Sequence, residues 1–177
     1  AGAAPECRVI ILTGADGHFS SGGDVSAMSA DRTMLSSRQR VERAHSIIRL
    51  INGGPKPVIA AVEGVAFGLG LSLVAACDYV VGHVDSSYCA VFNKVGLIPD
   101  MGLLATLPQR VGLGQAKQLM YSARRVKAAE AMQLGIIDQL ETDRSVRDAA
   151  LQQAEQMASA APIPIALIKA YYCKGNH

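Results

Sequence analysis

At 177 residues, half of them hydrophobic and 18% charged, the chain can bury a substantial core as one domain, which excludes intrinsic disorder. A net charge of +2, no run of Lys or Arg and no Trp argue against nucleic acid as a partner. Charged, Gly or Pro residues interrupt every apolar stretch before it reaches membrane-spanning length, so no membrane partner is expected.

In chain order, Val9 to Leu12 is a short apolar run ending at Thr13-Gly14 and predicts a strand buried on both faces. Apolar positions Val41, Ala44, Ile47, Ile48 and Ile51 recur at helical spacing from about Leu35 to Ile51, with Asn52-Gly53 as the stop. Pro55 and Pro57 precede a second buried strand, Val58 to Val62. A Gly64–Gly70 turn then leads into a small-residue helix ending near Ala76. Asp78 to Val81 reads as a third strand and Tyr88 to Val91 as a fourth.

Beyond Asp100 the pattern is helical: Leu103 to Val111, Gln115 to Tyr121, Ala128 to Leu134 with Gly135 as stop, and Val146 to Ala160. Pro162 and Pro164 mark the start of a last helix. Solid apolar strands alternating with helices predict an α/β fold with a parallel sheet covered on both faces and a trailing helical region.

Residues 1–177 form one domain with no internal repeat. The chain starts without Met and stops without a capping signal, so it is expected to be part of a longer protein. Cys7, Cys77, Cys89 and Cys173 lie far apart, three of them in apolar surroundings, which predicts buried reduced thiols and a cytoplasmic location. The four His are scattered without metal-ligand spacing, and no metal is expected.

Two glycine-rich elements carry the chemistry: His18-Phe19-Ser20-Ser21-Gly22-Gly23-Asp24 and Val62-Glu63-Gly64 through Gly68-Leu69-Gly70-Leu71-Ser72. Glycines admit a ligand close to backbone N–H groups, and two such loops converging can hold one developing oxyanion. A nearby acid, in Gly96-Leu97-Ile98-Pro99-Asp100-Met101-Gly102, would then move the proton.

Other readings of these residues compete. A dinucleotide fingerprint fails because Leu73 stands at the third glycine position, and a phosphate-binding loop fails for want of Gly-Lys-Ser/Thr. Ser72 is either a hydrolase nucleophile lacking the G-x-S-x-G elbow or a small residue that lets its helix pack closely. Glu63 at a strand end is catalytic or merely solvated, Asp24 is a site residue or a turn cap, and Asp100 is an acid or the N-cap of the helix near Leu103.

Taken in order, these segments resemble the crotonase, or enoyl-CoA hydratase/isomerase, family. Phe19-Ser20-Ser21-Gly22-Gly23-Asp24 is similar to its F-S-A-G-x-D element. Lys56-Pro57-Val58-Ile59-Ala60-Ala61-Val62-Glu63-Gly64 through Gly70 and Ala76-Cys77-Asp78 resembles its K-P-x-I-A-A-V-x-G…G-x-G…C-D segment. Ala128-Ala129-Glu130-Ala131 with Leu134 to Asp138 resembles its A-x-E-A…G-L-V-D signature.

The resemblance implies a crotonase-like fold, lacking here the family's N-terminal strands and last C-terminal helices, and commonly assembled as homotrimers or trimer pairs. It also implies an acyl-CoA thioester substrate, with coenzyme A part of that substrate and no permanently bound cofactor. The thioester oxygen would meet the backbone N–H groups of Gly23 and Leu69. Ser21, Gly22, Gly23, Asp24, Val25, Phe67, Gly68, Leu69 and Phe92 would line the substrate, with Ser26–Ser37 as a further wall. Arg8 and the Arg/Lys of the last helices are candidates for the coenzyme phosphates.

The departures decide the chemistry. The family's two hydratase glutamates would fall at Ser72 and about Phe92, and neither is acidic. Asp100 instead occupies the Pro-Asp-x-Gly position of isomerase-like members, so isomerisation of an enoyl-CoA by one carboxylate is the expected reaction. Ile98, Pro99 and Met101 are expected to desolvate Asp100 and raise its pKa. Hydration with an atypical acid, dehalogenase-like attack by Asp100, a non-catalytic acyl-CoA binder and a Ser72 hydrolase remain as alternatives.

Overall fold

The computed structural model describes residues 6–24 and 34–174. Its elements are β1 (Ile10–Thr13), α1 (Met34–Gly53), β2 (Val58–Val62), β3 (Val65–Phe67), α2 (Leu69–Ala76), β4 (Tyr79–His83) and β5 (Ser87–Cys89). A 3-10 turn (Val91–Val95) follows, then α3 (Leu103–Val111), α4 (Leu113–Ser122), β6 (Val126–Lys127), α5 (Ala128–Leu134), β7 (Gln139–Glu141), α6 (Val146–Ser159) and α7 (Pro162–Lys174).

The main sheet is parallel throughout, in the order β1-β2-β4-β7, with Ile59 of β2 paired to Ile11 on one side and Tyr79 on the other. Every residue of β2 is buried, and the strand's alternation sends its side chains into two cores. Val58, Ala60 and Val62 join Val80, Leu71, Val74, Leu103 and Leu107 in the larger one. Ile59 and Ala61 join Val81 against Val146, Ala149 and Ala150 of α6. Two covered faces explain why β2 reads as an unbroken apolar run. No helix among the described residues is long and apolar enough to cross a membrane.

Several expectations need correction. β1 is half-buried, because it is the end strand of the sheet. The Gly64–Gly70 turn contains β3, which with β5 and β6 makes a second small sheet, and the expected fourth strand stops at Cys89 before the 3-10 turn. On α1, Ile48 and Ile51 are buried but Ile47 is 49% exposed, and the side chain of Val41 lies outside the described set. Two cysteines are buried, not three: Cys77 and Cys89 are, Cys7 is half-buried, and Cys173 is exposed.

Charged groups pin the later helices. Lys169 of α7 is buried, donates to the Ile51 carbonyl at 2.8 Å and pairs with the Asp78 carboxylate, which also accepts from the Val58 N–H at 2.7 Å. Arg110 of α3 donates to the Cys77 carbonyl at 2.8 Å and to Asp138 at 3.1 Å, holding the end of α2 to the turn before β7.

Candidate active site

The first glycine-rich loop is shaped by backbone pairing. After a tight turn closed by the His18 N–H on the Ala15 carbonyl, Phe19 donates to the Glu63 carbonyl at 2.9 Å. Ser20 donates to the Val65 carbonyl and accepts from the Phe67 N–H, both at 2.9 Å, so it runs parallel beside Ala66 as a one-residue extension of β3. This pairing draws the loop onto the second glycine-rich element.

Gly22 then turns back at φ +108, a conformation that disfavours a side chain, with its N–H on the Ser20 hydroxyl at 3.2 Å. A Cβ there would stand 3.1 Å from the Phe67 carbonyl oxygen and 3.8 Å from the Leu69 nitrogen, so the two loops are in contact. Gly23 is half-buried and Asp24 exposed beside this junction, while Val25 and residues 26–33 lie outside the described set.

The second loop is fixed by the Gly68 N–H on the Cys89 carbonyl at 2.9 Å and by Gly68 itself, at φ 52 and ψ −116. Leu69 opens α2, so its N–H has no acceptor one turn back within the helix and belongs to the helix's positive end. A Cβ on Gly70 would meet the Ser20 carbonyl oxygen at 2.6 Å, a measure of how closely α2 presses on the first loop. Phe92 is buried, its ring edge 4.0 Å from where a Gly68 Cβ would be, so its apolar side chain lies against the second loop.

Asp100 is tied to this junction through its backbone. Its carbonyl accepts the Ser72 hydroxyl at 3.1 Å and the Leu103 N–H at 3.1 Å. The chain then turns through Met101 at φ 47 and Gly102 at φ 75, which puts Met101 in the core. The helix cap of α3 is Gly102, which corrects the N-cap reading of Asp100. The expected apolar cover is also corrected. Ile98 is 72% exposed and Asp100 itself exposed, because residues 93–98 run along the surface and only Met101 turns inward.

Of the two readings of Ser72, the small residue within a closely packed helix is the one the structure supports. Its side chain is wholly buried, and its hydroxyl is directed at the Asp100 and Gly68 carbonyls, so it is no exposed nucleophile. Glu63 is exposed at the end of β2, with its carbonyl engaged by Phe19. Lys169, among the last-helix phosphate candidates, is consumed by Asp78 and Ile51, while Arg8 donates to the Ala160 carbonyl at 2.6 Å.

Arg125 carried no signal in the sequence, yet its guanidinium sits 5.0 Å over the Phe67 ring. Burial raises the thiol pKa of nearby Cys89, and the positive charges of Lys94 and Arg125 partly offset this. A cavity of about 590 Å³ lies at the other end of α2, between Asp78, Arg110, Asp138 and Lys169, whose charges are paired with one another.

The family model described as enoyl-CoA hydratase/isomerase matches residues 2–176. Carnitinyl-CoA dehydratase of Citrobacter koseri is 32% identical over 169 residues, covering 95% of this chain and 64% of that protein. The chain thus spans just under two thirds of such relatives. The crystal structure of an enoyl-CoA hydratase from Polaromonas sp. JS666 superposes with a TM-score of 0.91 at 32% identity, covering 100% of this chain and 70% of that one. The enoyl-CoA hydratase from Bacillus anthracis gives 0.89 at 31%, covering 98% and 67%. With its two glycine loops in contact and its sheet and helices in this arrangement, the chain belongs to the enoyl-CoA hydratase/isomerase family.

Proposed function

We propose that the protein isomerises a 3-enoyl-CoA thioester to the 2-enoyl form, using a main-chain oxyanion site and one carboxylate. The observation that carries this reading is the pairing of an acid-free Ser72 and Phe92 with Asp100, whose backbone is bonded to the first turn of α2. The N–H groups of Gly23 and Leu69 would receive the thioester oxygen. Asp100 would take a proton from C2 and leave a dienolate whose negative oxygen those donors stabilise. The acid would return the proton at C4, and the double bond would move to C2–C3.

Each part has a known scale. One positioned acid–base group contributes about 10²- to 10⁴-fold, and one oxyanion donor about 3–4 kcal/mol. Phe67, Gly68, Leu69 and Phe92 would line the acyl group, with Ser21, Gly22 and Asp24 on the facing loop. The apolar exposure of Ile163, Leu167, Ile168 and Tyr172 on α7 supports the further proposal of a homotrimer or trimer pair, which light scattering of the full-length protein tests.

The relatives named as dehydratases favour a second reading, hydration or dehydration of a 2-enoyl-CoA with an atypical acid. Turnover of full-length protein on 3-enoyl-CoA and, separately, 2-enoyl-CoA separates the two, each with wild type and Asp100→Asn. Conversion of the 3-enoyl substrate that Asp100→Asn lowers by about 100-fold or more supports isomerisation. Hydration of the 2-enoyl substrate independent of Asp100 replaces it with the second reading. Binding without turnover of either makes the protein an acyl-CoA binder, and an acyl-enzyme trapped on Asp100 makes the carboxylate a nucleophile.

A further inference from the structure

Ser72 occupies the most enclosed polar position near the two loops. Its side chain is fully buried in the first turns of α2, where alanine would be as small and a better helix former. A helical serine hydroxyl ordinarily returns its proton to the carbonyl four residues back. Here that acceptor, Gly68, lies at 3.4 Å, while the Asp100 carbonyl lies closer, at 3.1 Å and 28 residues along the chain. A hydroxyl has one proton to give, and the shorter contact takes it toward Asp100.

The turn so held is one that requires holding. Met101 follows Asp100 at φ 47, a left-handed conformation that a residue with a side chain adopts at a cost and keeps only when its surroundings fix it. The Leu103 N–H grips the same carbonyl from α3, so Asp100 is clamped between two helices. Ser72 stands three residues after Leu69, and its own N–H donates to the Gly68 carbonyl at 3.1 Å. One helical turn therefore bears both the Leu69 amide and the hydroxyl that grips the acid-bearing turn.

Resting on the isomerase reading above, we infer that Ser72 is a positioning residue that sets the distance between the Leu69 amide and the proton-carrying Asp100. It touches no substrate. It acts by keeping oxyanion donor and acid in one rigid unit, so that the C2 proton and the thioester oxygen are met together.

The test uses the full-length protein on 3-enoyl-CoA, with kcat, KM and melting temperature measured for Ser72→Ala, Ser72→Cys, Asp100→Asn and Ser72→Ala/Asp100→Asn. Misplacement of a reacting group by about 1 Å costs on the order of 100-fold. Ser72→Ala is expected to keep KM and lose about 10- to 100-fold in kcat, and Ser72→Cys, with its weak donor, to lose less. In the Asp100→Asn background the Ser72→Ala change is expected to cost nothing further, because no proton carrier is left to misplace.

An equal loss in both backgrounds overturns the inference, since it marks a general effect on the fold or the oxyanion site. So does a Ser72→Ala kcat within threefold of wild type while Asp100→Asn has lost about 100-fold or more, and that result leaves the isomerase reading standing. Full turnover by Asp100→Asn removes the isomerase reading and the inference with it. If Ser72→Ala fails to fold, Ser72→Cys is carried through the same comparison with and without Asp100→Asn, and the same two outcomes decide.

Discussion

Replacing Gly70 with Ala tests whether the contact between the two glycine loops governs function. The added Cβ would stand 2.6 Å from the Ser20 carbonyl oxygen and 2.9 Å from the Ser20 Cβ. A tolerable C···O approach is about 3.3 Å, so the surfaces must part by about 0.7 Å. Ser20 cannot yield cheaply, because its N–H and carbonyl are both engaged with β3 at 2.9 Å. The start of α2 must move instead, and it carries Leu69.

Overpacking of this kind costs about 1–3 kcal/mol, of which Ala recovers up to about 1 kcal/mol through its better helix propensity. A net loss of about 1 kcal/mol corresponds to a fall of about 2–4 °C in melting temperature for a chain of this size. The effect on turnover should be larger, on the order of 100-fold in kcat, because the displacement falls on the proposed oxyanion donor. Gly114→Ala in α4 is the control: nothing lies within 4 Å of its Cβ position, so activity should be unchanged and stability equal or higher. Steady-state kinetics on 3-enoyl-CoA with thermal melts decides the matter. A Gly70→Ala enzyme within threefold of wild type would refute the reasoning.

Three further outcomes follow from the packing. Asp78→Asn should cost about 3 kcal/mol in urea unfolding by leaving the buried Lys169 ammonium without its carboxylate, and Lys169→Met/Asp78→Asn should recover part of that loss. Burial pushes the Cys77 thiol up from 9.0 to about 12, against a smaller opposing pull from Arg110. The folded state therefore keeps a proton that the unfolded chain releases. Stability is fully present below pH 9 and declines above it by about 1.4 kcal/mol per pH unit, so Cys77→Ala should flatten that limb in pH-dependent denaturation. In the native protein, alkylation followed by peptide mass mapping should find Cys173 modified first, Cys7 more slowly, and Cys77 and Cys89 only after denaturation; early modification of Cys77 would contradict its burial.

Elements with their own local signal were legible from the sequence. The α3 and α5 boundaries follow from periodicity and from Gly135 as the stop, and β2 from an apolar run that two covered faces demand. β6 and β7 span two and three residues, too short for any period to register. β3 was hidden between Gly64 and Gly68 because it exists through its pairing with β5 and with Ser20, partners distant in sequence. The glycine loops and Asp100 stood out by composition and spacing. The bond from Ser72 to Asp100 did not, because a buried serine looks the same whether it fills space or ties two segments together.

The pairing of Ser20 with Ala66 has a consequence for how such a protein changes over generations. The junction of the two loops is made from peptide groups, so its geometry does not depend on which side chains stand at 21, 23 or 69. Substitution at 100 can then exchange the proposed proton carrier for another group while the proposed oxyanion donors stay where they are. In such a lineage, a new reaction would arise from a few exchanges around an inherited peptide frame, and the frame itself would diverge last.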